Sequence, residues 1–261
     1  MDYLESILLG VIQGLTEFLP ISSSGHLEIS KAILGNTLSN QESLLFTIVL
    51  HSATAFSTIF FFRKDLLNIF KGIFLKNYNE SHDFSISILV SMIPAALVGL
   101  FFEETINSLF DGNLILVGSM LYITALLLFL SDFLKLKKNE ISFKNSFLIG
   151  LSQAIAILPG ISRSGATIAS AVILGIEREQ AARFSFIMVI PLILGSMVKS
   201  ILDHGMSFEN FDLISLIVGF LSAFITGLFA CKWMILLVKK SKLYYFSIYC
   251  CIVGSIIIYC S

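Results

Sequence analysis

The side chains able to do chemistry fall into two clusters of similar wording. The first runs Gln13-Gly-Leu-Thr-Glu17-Phe-Leu-Pro20-Ile-Ser22-Ser23-Ser24-Gly25-His26, and the second Leu158-Pro159-Gly160-Ile161-Ser162-Arg163-Ser164-Gly165-Ala166-Thr167. Both carry Leu-Pro and then Ile-Ser-x-Ser-Gly, inside strongly apolar surroundings. An ionisable group at membrane depth costs roughly 2.5–3.5 kcal/mol on insertion scales and is functional by default. Gln13 and Glu17 stand four apart and share one helix face. Ser22, Ser23, Ser24 and Gly25 supply hydroxyls and backbone amides where the next helix begins, a natural anion site, with His26 in its first turns. Ser162, Ser164 and Thr167 repeat the hydroxyls, and Arg163 adds a permanent cation whose fork suits phosphate oxygens. An anion clamp, a nucleophile, a base and a carboxylate for a metal bridging phosphates make up the inventory of phosphoryl transfer. At membrane depth that chemistry implies a lipid-linked substrate.

Plainer readings compete at each position. Ser and Gly also occur between membrane helices simply to let backbones approach. Glu17 and Arg163 would serve equally as a structural ion pair joining two halves, or as the binding groups of a transporter or lipid flippase in which no bond breaks. His51 reads as a satisfied core residue, Met188 and Met197 as packing. Cys231, Cys250, Cys251 and Cys260 lack metal-ligand spacing and read as small hydrophobes.

The elements that must position these clusters are membrane helices. Of the 261 residues 56% are hydrophobic and 13% charged, too little polar surface to cover a soluble protein of this size, and the mean hydropathy is +0.89. Asp2 and Glu5 stand where a cleavable signal needs basic residues, so none is expected. The net charge of −1 says nothing about nucleic acid; no basic tail exists, and no nucleic-acid partner is expected. Residues 3–19 are helical in pattern and end at Pro20; a second short run covers about 23–34, ending near Gly35-Asn36. Each half is too short to span, which suggests a re-entrant hairpin around the polar bend. Spans follow at 43–62, 84–102 (with a kink at Pro94) and 113–131. The pattern then restarts with short segments at 146–158 and 161–175 and spans near 183–202, 211–238 and 244–260.

Lys/Arg-rich loops prefer the cytoplasm. That rule places the polar stretch 63–83 (Arg63, Lys64, Lys71, Lys76), 132–145 (Lys135, Lys137, Lys138, Lys144) and 239–243 (Lys239, Lys240, Lys242) inside. The loops with Glu103, Glu104 and Asp111, and with Asp203, Glu209 and Asp212, then fall outside with both termini. Three spans between the hairpins give the halves opposite orientations. The expected fold class is therefore all-α: a polytopic membrane protein built as an inverted repeat of a re-entrant helix hairpin plus three transmembrane helices, six full spans in all. It forms a single integral domain with repeats at about 1–131 and 143–261 and a site near the midplane.

At its two clusters the sequence resembles the BacA/UppP family of undecaprenyl-diphosphate phosphatases. The first motif of that family stands here as Gln13-Gly-Leu-Thr-Glu17 with Ser22-Ser23-Ser24-Gly25-His26, the second as Pro159-Gly160-Ile161-Ser162-Arg163-Ser164 with Thr167. Arg178-Glu179-Gln180-Ala181-Ala182-Arg183-Phe184-Ser185-Phe186 is similar to it as well. Where many members carry Glu at the first position, this chain has Gln13. The resemblance implies hydrolysis of undecaprenyl diphosphate, recycling of the carrier lipid for cell-wall polymers, a link to bacitracin tolerance, and a divalent cation, Mg2+ or Ca2+. On that basis Ser23 is expected as nucleophile, with Glu17 as activating base or metal ligand and His26 as proton donor or alternative nucleophile. Arg163, Ser162, Ser164 and Thr167 are expected to clamp the diphosphate together with Ser22, Ser24 and Gly25, and Gln13 to orient the phosphate or a metal-bound water. The expected partners are the polyprenyl diphosphate and membrane lipids; a homodimer is compatible with the chain and not specified by it. The expected location is the bacterial inner membrane, with the site facing outside.

Overall fold

The computed structural model describes residues 2–35, 40–109, 113–134, 139–204, 212–240 and 242–261. Its helices are α1 (Tyr3–Thr16), α2 (Ser23–Ile33), α3 (Asn40–Phe61), α4 (Arg63–Ile73), α5 (Glu80–Phe101), α6 (Glu103–Leu109), α7 (Leu114–Phe133), α8 (Phe143–Ile155), α9 (Arg163–Ile173), α10 (Arg178–His204), α11 (Leu213–Lys240) and α12 (Tyr244–Cys260). No strand occurs among the described residues. By length and composition α3, α5, α7, α10 and α11 are able to cross a membrane. The sixth expected span, α12, has 17 residues, about 26 Å at a rise of 1.5 Å per residue. Asn36, Asp111, Lys135, Lys137, Lys138 and Glu209, to which the sequence reading assigned loop ends or orientation, lie outside the described residues.

The two prolines set the hairpins. α1 ends at Thr16 and α8 at Ile155, each four residues before a proline, Pro20 and Pro159. A proline ring has no N–H to give to the carbonyl four residues back and collides with it. The helices therefore stop earlier than the apolar pattern, which ran to residues 19 and 158, suggests. Pro94 and Pro191 lie inside α5 and α10 without ending them. A second difference concerns 63–83, expected as a polar loop: it holds α4, whose Leu67, Phe70 and the following Phe74 are exposed beside Lys64 and Lys71. That amphipathic pattern belongs at a membrane surface.

The first helix of each hairpin lies against a long helix from the other half of the chain, α1 on α11 and α8 on α5. Close approach is enforced by glycine. A Cβ on Gly14 would stand 2.7 Å from the Ala223 carbonyl oxygen, and one on Gly150 would stand 2.3 Å from that of Ser91. The two helices share the wording Ser-x-Leu-x-Gly-x-x-Gln, Ser6 to Gln13 and Ser146 to Gln153, and in both the Ser, Gly and Gln are buried. α7 packs along α12 and against α9. The main core gathers Phe18, Leu121, Leu128, Ile168, Phe184, Met188 and Met234 around the second bend. Large apolar side chains such as Leu100, Phe129 and Phe229 point outward, as lipid-facing positions require. Cys231 and Cys250 are buried free thiols.

Candidate functional site

Glu17 sits just beyond α1, where the helix has been stopped by Pro20, and is only 6% exposed. A buried carboxylate must find partners, and this one finds several. Its Oε1 is ion-paired with Arg163 Nη2, and its Oε2 accepts from Ser23 Oγ at 2.7 Å and from Gln13 Nε2 at 2.9 Å. Arg163 is the first residue of α9 and Ser23 the first of α2, so one carboxylate ties both hairpins together. Gln13 Nε2 also lies 3.0 Å from His51 Nδ1 on α3, and that nitrogen is 3.4 Å from Glu17 Oε2. Gln13 Oε1 is buried without a partner.

The bends themselves are built alike. Ser22 Oγ accepts the Gly25 amide at 3.2 Å and Ser162 Oγ the Gly165 amide at 3.0 Å. These are N-caps, each fixing one of the four orphan donors of a helix start. Ser22 and Ser24 hydroxyl oxygens lie 3.4 Å apart, those of Ser162 and Ser164 3.3 Å. Ser22 takes φ 72°, ψ 96° without being glycine, a conformation that costs of order 1–3 kcal/mol and gathers at functional sites. Gly160 has φ 95°, and a Cβ there would stand 2.4 Å from the Val117 carbonyl oxygen, so no other residue fits this turn. The bends touch: Ser164 Oγ donates to the Leu19 carbonyl at 3.2 Å. Two helix N-termini thus meet beside Arg163, and their partial positive charges add to its own, which favours an anion.

A small cavity opens at this junction. Glu17, Arg163, Ser164, Ser185, Thr54 and Thr58 give it polar walls, and Phe18, Phe186, Val189 and Ile193 close it with apolar ones. Thr167 reaches the cavity wall through Ser185, Oγ to Oγ1 at 2.6 Å. Of the residues anticipated from sequence, Gln13, Glu17, Ser23, Arg163 and Ser164 are in contact with one another or with the cavity. Ser22, Ser24, Gly25 and Ser162 form the bends around it. His26 turns elsewhere: Nδ1 donates to the Ser22 carbonyl at 2.8 Å, and Nε2 faces Tyr249 Oη of α12 at 2.9 Å.

Several site residues escaped the sequence reading. His51, read from sequence as a satisfied core residue, is satisfied by Gln13 beside Glu17; with Thr54 and Thr58 it forms a polar stripe at helical spacing, a signal present in the sequence. Ser185 lies in the run already singled out. Thr124 of α7 accepts the Ser162 amide at 2.9 Å and donates to the Gly160 carbonyl at 3.2 Å, holding the second bend. Neither Thr124 nor Tyr249 had a local signal, because both act across helix interfaces.

Fold and site together define a multi-pass membrane protein with a buried, anion-favouring site between two helix hairpins. The chain belongs to the family described as bacitracin resistance protein BacA, which it matches over residues 6–256. It is 56% identical over 254 residues to an undecaprenyl-diphosphatase of Christiangramia forsetii, covering 97% of this chain and 96% of that one. It is 49% identical over 263 residues to an undecaprenyl-diphosphatase of Bacteroides fragilis, with 99% and 98% covered. A relative of that name from Methanobrevibacter smithii is 38% identical over 274 residues.

Proposed function

We propose that this protein hydrolyses undecaprenyl diphosphate to undecaprenyl phosphate and inorganic phosphate, recycling the carrier lipid for cell-wall synthesis and conferring bacitracin tolerance. The observation that carries the reading is Glu17 bonded at once to Ser23 and Arg163, in a chain similar over its length to undecaprenyl-diphosphatases. Ser23 Oγ attacks the terminal phosphorus while its proton passes to Glu17 Oε2. An Oγ–P bond forms as the bond from phosphorus to the bridging oxygen breaks, releasing undecaprenyl phosphate. Water then cleaves the phosphoserine, regenerating the hydroxyl and releasing inorganic phosphate. Arg163 leaves Glu17 for the incoming phosphate oxygens, helped by the hydroxyls and amides of Ser162, Ser164 and Thr167 and of Ser22, Ser24 and Gly25. His26 is the candidate proton donor to the leaving oxygen and the alternative nucleophile to Ser23; either role requires its Nε2 to leave Tyr249 Oη.

A divalent cation fits this donor set in one way. Among the described residues no three His, Cys, Asp or Glu side chains form a cage, yet Gln13 Oε1 is buried with no hydrogen-bond partner among them, on the same amide whose Nε2 bonds the Glu17 carboxylate. Mg2+ or Ca2+ would be held by Glu17 and Gln13 with the remaining ligands from the diphosphate itself, the usual arrangement for Mg2+. Its chemistry there is neutralisation of phosphate charge.

The repeats at about 1–131 and 143–261, inverted in the membrane with re-entrant hairpins, are the architecture this reading uses. The matching hairpins and the exchanged packing of α1 on α11 and α8 on α5 support it. The Lys/Arg bias orients the first hairpin outward in the bacterial inner membrane. All the named residues come from one chain, so the reading does not require a homodimer.

The test is phosphate release from undecaprenyl diphosphate by purified protein in detergent, with and without Mg2+, beside Glu17→Ala and Arg163→Ala. Release is expected to depend on the metal and to fall by about 10²–10³ in each folded variant, the loss typical of one electrostatic contact to the transition state. A well-folded wild type that releases no phosphate across metals and lipid lengths would move the assignment to a transporter of the intact lipid.

A further inference from the structure

The contacts of Glu17 leave one side chain without a role, His51. We propose that His51 is a positioning residue: its unprotonated Nδ1 accepts from the Gln13 amide and thereby aims Glu17 Oε2 at Ser23. The inference rests on the function proposed above and deepens it.

The geometry leaves one consistent assignment of protons. Gln13 lies 2.9 Å from a carboxylate oxygen, and only its NH2 group can face that acceptor. The same nitrogen is 3.0 Å from His51 Nδ1, closer than the 3.4 Å between Nδ1 and Glu17 Oε2. A proton on Nδ1 would set two donors against each other across the shorter contact. Turning the amide to relieve them would set Gln13 Oε1 against the carboxylate. His51 is therefore the neutral imidazole with its proton on Nε2, and each Gln13 N–H has its acceptor. His51 is carried by α3, a long apolar helix packed on α11 and α10. Without the His51 acceptor the Gln13 amide loses one of its two anchors. Glu17 Oε2 is then free to swing from Ser23, while Arg163 and the hydroxyls that grip phosphate stay in place.

The experiment compares His51→Asn, whose Oδ1 takes the place of Nδ1 as acceptor, with His51→Leu and His51→Ala, which have none. All are purified in detergent, with melting curves, and assayed with undecaprenyl diphosphate. His51→Leu and His51→Ala are expected to lose about 10- to 100-fold in kcat, the usual effect of removing a group that orients a site residue, with KM little changed. His51→Asn is expected to recover most of that loss. Leu and Ala variants that turn over like wild type, or an Asn variant as slow as Leu, would overturn the inference. A second readout needs no turnover: the ring 15N shifts of His51, resolvable because the chain has 4 histidines, are expected to report Nε2–H, and Nδ1–H would refute it. Failure of the parent reading looks different, since well-folded wild type would then release no phosphate at all, while the ring 15N shifts would still report the state of Nδ1.

Discussion

At the residue scale the site is a question of how one buried carboxylate is satisfied. Glu17 is 6% exposed, yet Ser23, Gln13 and Arg163 each reach it, so its ionised form is stabilised by bonds rather than by water. Breaking one side of such a pair leaves an uncompensated charge, which costs about 3–5 kcal/mol when fully buried. Arg163 retains 22% side-chain exposure, which moves the expected cost toward the lower end. Glu17→Gln is therefore expected to lower unfolding stability by about 3 kcal/mol. The double variant Glu17→Gln/Arg163→Gln should be less damaged than the sum of its singles, because no orphan cation remains. Urea melts in detergent measure both, and strict additivity would mean the pair is not coupled. Phosphate release should fall by about 10²–10³ in each single and stay low in the double variant, since restoring stability restores neither the base nor the phosphate clamp.

At the element scale the hairpins depend on two kinds of residue, prolines that end helices and glycines that let them touch. Gly150 meets a backbone oxygen, that of Ser91 at 2.3 Å from where a Cβ would stand, and backbone yields less than a side-chain tip. Gly150→Ala should lower stability by about 1–3 kcal/mol, as overpacking does, seen as an earlier melting midpoint; an unchanged midpoint would show that α8 shifts freely on α5. The shared Ser-x-Leu-x-Gly-x-x-Gln wording has a further consequence. Gln13 has partners, whereas its counterpart Gln153 is 1% exposed with neither amide atom bonded. The residue four further on is Ile157 in the second hairpin, where the first has Glu17. The shared wording thus carries the amide in both helices and the carboxylate only after the first. Gln153→Met should leave phosphate release intact and raise stability by about 1 kcal/mol, the scale of an unmade hydrogen bond. Gln13→Met should lose turnover. Loss of turnover in Gln153→Met would give Gln153 a part in the site.

At the scale of the whole molecule the open matter is which way it faces. The orientation proposed from the Lys/Arg bias has both termini outside, and Cys260, exposed near the end of α12, offers a native probe. A membrane-impermeant maleimide added to intact spheroplasts should label the wild type and not Cys260→Ser, while buried Cys231 and Cys250 react slowly. Labelling that appears only after permeabilisation would invert the orientation and place the opening of the first hairpin inside.

Much was legible from the chain alone, because hydropathy, proline geometry and charge bias act locally. The long apolar helices follow from composition, the two bends from Pro20 and Pro159-Gly160, and the candidate groups from polar residues surviving in apolar surroundings. Helix ends moved because a proline acts on the carbonyl four residues earlier, and α4 was missed because Arg63, Lys64, Lys71 and Lys76 set the reading of 63–83, although Leu66, Leu67, Ile69, Phe70 and Ile73 stand among them. Only the folded chain decided which polar groups meet. Arg163 reaches Glu17, His51 reaches Gln13, His26 turns to Tyr249 and the Gln153 amide finds no hydrogen-bond partner among the described residues, although the two glutamines read alike in sequence. Such contacts depend on how each helix is rotated against a neighbour remote in the chain, and no local pattern encodes that rotation.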